Sequence, residues 1–194
     1  RDLFAMAGQT TVLPASTCAK AAPAPTISKV ANAEGEAATI APNTWVEVKG
    51  SGLAGTTRIW AGADFVNGQM PTKIDNVSVT VNGKPAFVYY VSPTQVNILT
   101  PPDSTGGSVP VVVTYNGTAS VAFSATAAGI SPSLFVFGDG QHVAAEHTDG
   151  SLLGPTSLSA PGYTFTPAMP GETVQLYGNG FGPTTAQIIS GSSQ

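Results

Sequence analysis

The chain has 194 residues, a formal net charge of −4, and only 9% charged residues, against about 25% in a typical domain. Its seven Lys and Arg form no basic stripe, which excludes an electrostatic nucleic-acid binder and argues against docking on anionic lipid. No apolar run reaches the ~18 residues of a membrane helix.

Hydrophobic residues make up 42% of the chain, with 22 Gly and 16 Pro. Frequent turn formers and recurring β-branched residues point to an all-β protein of short strands. The first residue is Arg1, and no signal peptide is legible, as expected of a processed secreted chain or a fragment. Cys18 is the lone cysteine, so no internal disulfide forms.

Residues 1–25 read as an extension. The segment from Thr17 to Pro25 is a small-residue linker whose prolines favour extended backbone. Before it, residues 3–13 suit a spare strand. Phe4, Met6 and Val12 fall on one side, and Leu3 and Leu13 flank them.

A first domain is expected over residues 26–129. Residues 27–30 suit a first strand and residues 45–49 a second, closed by Gly50-Ser51-Gly52. Ile59-Trp60 suits a short strand, and residues 62–74 a loop. Residues 77–81 alternate strictly, and Asn82-Gly83 is the two-residue sequence of a type I′ hairpin. The returning strand, residues 85–91, is apolar on both faces and so is expected to be central. Residues 95–99 form another strand. A second hairpin runs over residues 109–125 about Asn116-Gly117, with Ala119, Val121 and Phe123 expected on one face. About seven strands without helices is the pattern of an immunoglobulin-like β-sandwich.

Residues 130–194 are expected to form a second, incomplete immunoglobulin-like domain. Residues 133–137 suit a strand, residues 142–147 another, and residues 152–170 a loop. A repeat then appears. Pro42-Asn43-Thr44-Trp45-Val46-Glu47-Val48-Lys49-Gly50-Ser51-Gly52-Leu53 returns without gaps as Pro170-Gly171-Glu172-Thr173-Val174-Gln175-Leu176-Tyr177-Gly178-Asn179-Gly180-Phe181, an offset of 128 residues. Only the first copy is followed by a domain's worth of strands.

Ile27 to Ala33, Ile40-Ala41-Pro42-Asn43-Thr44 and Gly50-Ser51-Gly52-Leu53-Ala54 form one set of diagnostic segments. Val79 to Ala86 with Ser92-Pro93-Thr94-Gln95-Val96-Asn97, and Pro170-Gly171-Glu172 with Leu176 to Pro183, complete it. Together they resemble the uncharacterised secreted bacterial proteins, common in acidobacteria, that carry IPT/TIG-like immunoglobulin domains. The resemblance implies an exported β-sandwich protein located outside the cell or at its surface, and it carries no activity with it.

Candidate chemistry is sparse. His142, Glu146 and His147 are spaced His-x-x-x-Glu-His, which fits neither zinc-protease pattern. Asp139-Gly140 and Asp149-Gly150 read as turns, without the ligand series of a calcium loop. Asn76 and Asn116 open Asn-x-Ser/Thr triplets and are uninformative. No catalytic residue, metal ligand or cofactor is assigned. Trp45, Trp60, Tyr89, Tyr90 and Tyr177 are the candidates for a sugar-binding face, with surface glycans as partners. That makes a carbohydrate-binding or accessory module of a larger secreted protein the alternative reading. The favoured expectation is a non-enzymatic structural protein that assembles head-to-tail with itself into an extracellular filament. Leu3, Phe4, Met6, Val12 and Leu13 would donate a strand, and Phe135, Phe137, Val174 and Leu176 would mark the acceptor.

Overall fold

Period-two alternation in the sequence becomes strand after strand. The computed structural model describes residues 23–103, 106–182 and 190–192. Among these the helical elements are two single 3-10 turns, Gly62–Asp64 and Thr156–Leu158.

Two sheets face each other. The first holds β1 (Thr26–Asn32), β3 (Trp45–Ser51), β9 (Gln95–Leu99), β8 (Phe87–Val91) and β4 (Arg58–Ile59), side by side in that order. The second runs β2 (Thr39–Ile40), β12 (Phe123–Ala127), β10 (Gly107–Tyr115), β6 (Val77–Val81) and β5 (Lys73–Ile74). Two short strands also join the second sheet: β7 (Lys84–Pro85) pairs with β6, and β11 (Thr118–Ala119) with β10. In most strands alternate residues point inward. Val46, Val48, Val88, Val91, Val96 and Ile98 meet Val77, Val79, Val81, Val109, Val111 and Val113 in one core, which Leu53 and Ile74 help to close. Each such side chain contributes about 1.5–3 kcal/mol on full burial.

Both Asn-Gly hairpins form. Asn82 and Gly83 have φ of 51° and 75°, and Asn116 and Gly117 have 48° and 79°. The left-handed region is tolerated by asparagine and free of Cβ strain for glycine.

Four expectations need correction. The segment predicted as one strand over residues 85–91 is divided. Lys84–Pro85 stays with β6, while β8 crosses to the other sheet to lie between β9 and β4. Ala86, fully buried, marks the crossing and donates its amide to Val79 O. The apolar residues on both faces have a second cause. A β-bulge between Val88 and Tyr90 lets Val88 and Val91 both point inward, so two tyrosines fall between them.

Val121 is 87% exposed and does not share a face with Phe123. Ser120 interrupts the strand, trading hydrogen bonds with Val113, and the register shifts by one residue between β11 and β12. A one-residue slip moves a side chain to the opposite face.

The loop predicted over residues 152–170 contains structure. β15 (Leu152–Leu153) pairs with β14 (Ala145–His147) and, in parallel, with β16 (Phe165–Thr166). The strand predicted over residues 133–137 is regular only as β13 (Ser133–Leu134), with Val136 bridging to Val143 beyond it.

Candidate functional site

The repeated sequence builds the same local structure twice. Asn43 and its counterpart Gly171 both have positive φ, 48° and 82°. So do Gly52 and its counterpart Gly180, at 64° and 76°. In the first copy β1 runs beside β3, pairing Thr26 with Ser51, Ile27 with Gly50, Val30 with Val48 and Asn32 with Val46. In the second copy the place of β3 is taken by β17 (Val174–Leu176) and β18 (Gly178–Asn179). Ser133 pairs with Asn179, Leu134 with Gly178, Ala145 with Leu176 and His147 with Val174. The role of β1 is thus shared by β13 and β14. Tyr177 marks the handover, since its carbonyl accepts from Phe135 N and its amide donates to Ala144 O.

The opposite side of this ribbon differs. In the first copy β9 lies there, with Val96 and Ile98 paired to Val48 and Val46. Among the described residues no strand occupies that side of β17, which ends its sheet. The counterparts of core residues are correspondingly bare. Val48 is 0% exposed and Leu176 56%; Leu53 is 0% and Phe181 62%.

Of the predicted acceptor residues, Val174 and Leu176 lie on this open ribbon. Phe137 packs edge-on against Phe165, with ring centroids 5.0 Å apart. Phe135 instead lines a cleft against the first sheet. The predicted donors Leu3, Phe4, Met6, Val12 and Leu13 lie outside the described residues.

That cleft, about 250 Å³ in volume, is lined by Ala33, Glu34, Trp45, Tyr89, Asn97 and Phe135. Its floor is the outer face of the first sheet. Trp45 alternates with core-facing Val46, and Tyr89 sits in the bulge of β8. Trp45 and Tyr89 meet at 63°, with centroids 5.6 Å apart, and Trp60 packs behind both at 5.9 and 4.8 Å. The rings therefore form a corner, not a flat platform. Tyr177 lies apart from this cluster, where its hydroxyl donates to Glu146 over 2.7 Å.

Glu34 forms the polar wall. Ser133 Oγ donates to its carbonyl over 2.6 Å, tying the wall to the segment that carries Phe135. Burial raises the pKa of the Glu34 carboxyl above its usual 4.5, and the nearby Glu47 charge raises it further, against a hydrogen bond from the Val136 backbone. Glu47 itself is buried and pairs with Lys49 at 2.9 Å.

The three metal-like residues go separate ways. His142 pairs with Asp139, Glu146 with Tyr177, and His147 with Glu172. Among the described residues no group of His, Cys, Asp and Glu is arranged to hold a metal ion.

The IPT/TIG domain family matches residues 26–128, more than half of the chain. The chain belongs to this family. Its TIG domain is the two-sheet unit described above, an immunoglobulin-like β-sandwich. No curated protein matches the chain. Among solved structures it is similar to the gamma-CGTase of alkalophilic Bacillus clarkii, at 18% identity and a TM-score of 0.37, over 56% of this chain and 13% of that one. The chain thus corresponds to a small part of that enzyme's length.

The ribbon had a signal in the sequence, the repeat of residues 42–53 at 170–181. The cleft was signalled in part, by Trp45 and Tyr89 as candidate ligand-face aromatics, but Glu34 and Phe135 lie about a hundred residues apart and meet only after folding.

Proposed function

We propose that this is an exported, non-enzymatic structural protein that assembles by strand addition. The TIG domain serves as the rigid body, and the ribbon β17–β18 is the acceptor. Residues 3–13 of a neighbouring subunit would lie beside it, antiparallel, in the place that β9 takes beside β3.

The observation that carries this reading is the contrast between Val48 and Leu176 at one position of a repeated unit. An exposed strand edge with bare apolar residues is a template for another chain. A donor whose Phe4, Met6 and Val12 share one face supplies the missing side chains, each worth about 1.5–3 kcal/mol on burial. The contact is heterologous, so repetition without closure yields a filament outside the cell.

The test is electron microscopy of the full chain beside a variant lacking residues 1–15. Filaments from the full chain, discrete particles from the variant, and capping of filaments by a synthetic 1–15 peptide are expected. Unchanged filaments in the variant, or discrete monomers from the full chain, overturn the proposal.

A further inference from the structure

The cleft between Trp45, Tyr89 and Phe135 has the chemistry of a cation site. Three aromatic side chains line it, and two of them stand at 63° to each other. Ring faces carry partial negative charge and attract cations, and rings at an angle surround a compact charged group better than they cover a flat one. A flat ligand such as a sugar ring is better served by coplanar rings.

Charge points the same way. Glu34 lines the cleft, and among the described residues no cationic side chain pairs with its carboxylate. Two lysines of the first sheet pair with other carboxylates. Lys49 bridges Glu36 and Glu47, and Lys29 pairs with Glu36. A partly buried carboxylate without a counterion, beside a second buried carboxylate, favours a positive ligand. The volume of about 250 Å³ accommodates a small organic ion and little more.

The site is also built. The segment leading into Phe135 is tied to the TIG domain by three hydrogen bonds. Asn32 Nδ2 donates to Ser131 O (2.9 Å), Ser131 Oγ to Thr39 O (2.7 Å), and Ser133 Oγ to Glu34 O (2.6 Å). Asn32 is fully buried, so the first of these bonds anchors the roof to the domain core.

We infer that this cleft binds a small alkylated ammonium group, with Trp45, Tyr89 and Phe135 around the methyl groups and Glu34 as the counter-charge. Asn97, oriented by a hydrogen bond from Gln95 Nε2 to its Oδ1, lies where it can contact a polar tail. The inference does not depend on strand addition.

Choline and its neutral isostere 3,3-dimethyl-1-butanol separate charge from shape. The full chain is titrated with each at constant ionic strength, following tryptophan fluorescence and the NMR shifts of Ala33 and Asn97. Choline is expected to bind about tenfold more tightly than the isostere. Glu34→Gln, at a partly exposed carboxylate, should lower choline affinity about tenfold with an unchanged circular dichroism spectrum. Phe135→Leu should weaken both ligands. Equal binding of the two, retention of choline by Glu34→Gln, binding of a neutral glucan in place of choline, or no binding at all would each overturn the inference.

Discussion

Val48 and Leu176 occupy the same position in two copies of one structural unit, and one is fully buried while the other is mostly exposed. Their substitutions should therefore have opposite signatures. Val48→Ala leaves a cavity in a close-packed core and should cost roughly 2 kcal/mol of stability in urea denaturation. Leu176→Ser changes a side chain that is mostly exposed, so its stability should stay within about 0.5–1 kcal/mol of the parent. The same change should abolish filaments under the microscope. A Leu176→Ser protein that assembles normally argues against the ribbon as acceptor.

Gly180 and Gly83 separate backbone freedom from crowding. Both have positive φ, 76° and 75°. A Cβ on Gly83 would meet nothing within 4 Å, whereas one on Gly180 would lie 2.0 Å from Ser131 O. Gly83→Ala should thus cost about 1 kcal/mol, the strain of a left-handed alanine. Gly180→Ala must also push β18 away from residue 131, where Ser131 N donates to Gly180 O. It should unfold the second unit at lower denaturant while leaving the TIG domain's own transition in place. Equal effects of the two substitutions would show that crowding at Gly180 is relieved without cost.

Much of this fold is written in local patterns. The alternation of Val77, Val79 and Val81 gave β6, and two Asn-Gly pairs gave the hairpins, because turn chemistry acts over a few residues. The exposure of Val121 was not legible. It depends on one bulged serine, and a bulge leaves no mark in composition. Nor was the crossing at Ala86, since a strand with two apolar faces can belong to either sheet. Candidate sites divide along the same line. The repeat placed Leu176 at the position of Val48. The grouping of Glu34 with Phe135 was hidden, as was the scattering of His142, Glu146 and His147, because these depend on contacts between segments distant in the chain.

Arg58 holds two carboxylates at once. Its guanidinium donates to both oxygens of Asp64 (2.7 and 3.0 Å) and both of Asp75 (2.8 and 3.0 Å). Lysine cannot reproduce two forks. The clamp spans the loop that carries Trp60 and Phe65, whose rings lie 5.1 Å apart. Arg58 holds Asp64 below its usual pKa and, with Thr56, holds Asp75 at about 2. A lowered carboxylate contributes stability that is present above its unfolded value of 3.8 and is lost as pH falls through the folded one. Arg58→Lys should accordingly lower Tm by a few degrees at neutral pH and shift Trp60 emission to the red. The difference in Tm between parent and variant should shrink between about pH 4 and 2. A pH-independent difference would assign the loss to packing.

His147 links the open ribbon to pH. Its Nδ1 pairs with Glu172, its Nε2 lies 2.8 Å from Thr166 Oγ1 and 3.1 Å from Thr166 O, and its strand pairs it with Val174 of β17. With acceptors at both nitrogens, the ring is best served as the doubly protonated cation. Glu172 accordingly raises the His147 pKa above 6.5, assisted by the Thr166 backbone and by Asp149. His147 in turn lowers Glu172 below 4.5, together with a hydrogen bond from Met169 N. The histidine's contribution is complete below 6.5 and is lost as pH rises through its folded value. The carboxylate's contribution is complete above 4.5 and is lost as pH falls through its folded value. Both are intact between about pH 4.5 and 6.5, so the second unit should be most stable in that window and weaken on either side. An NMR titration of the His147 ring should give a midpoint above 6.5 that returns toward 6.5 in Glu172→Gln. Denaturation curves of that variant should lose the fall in stability above pH 6.5. A His147 midpoint that ignores Glu172→Gln would place the control of this ribbon in another pair.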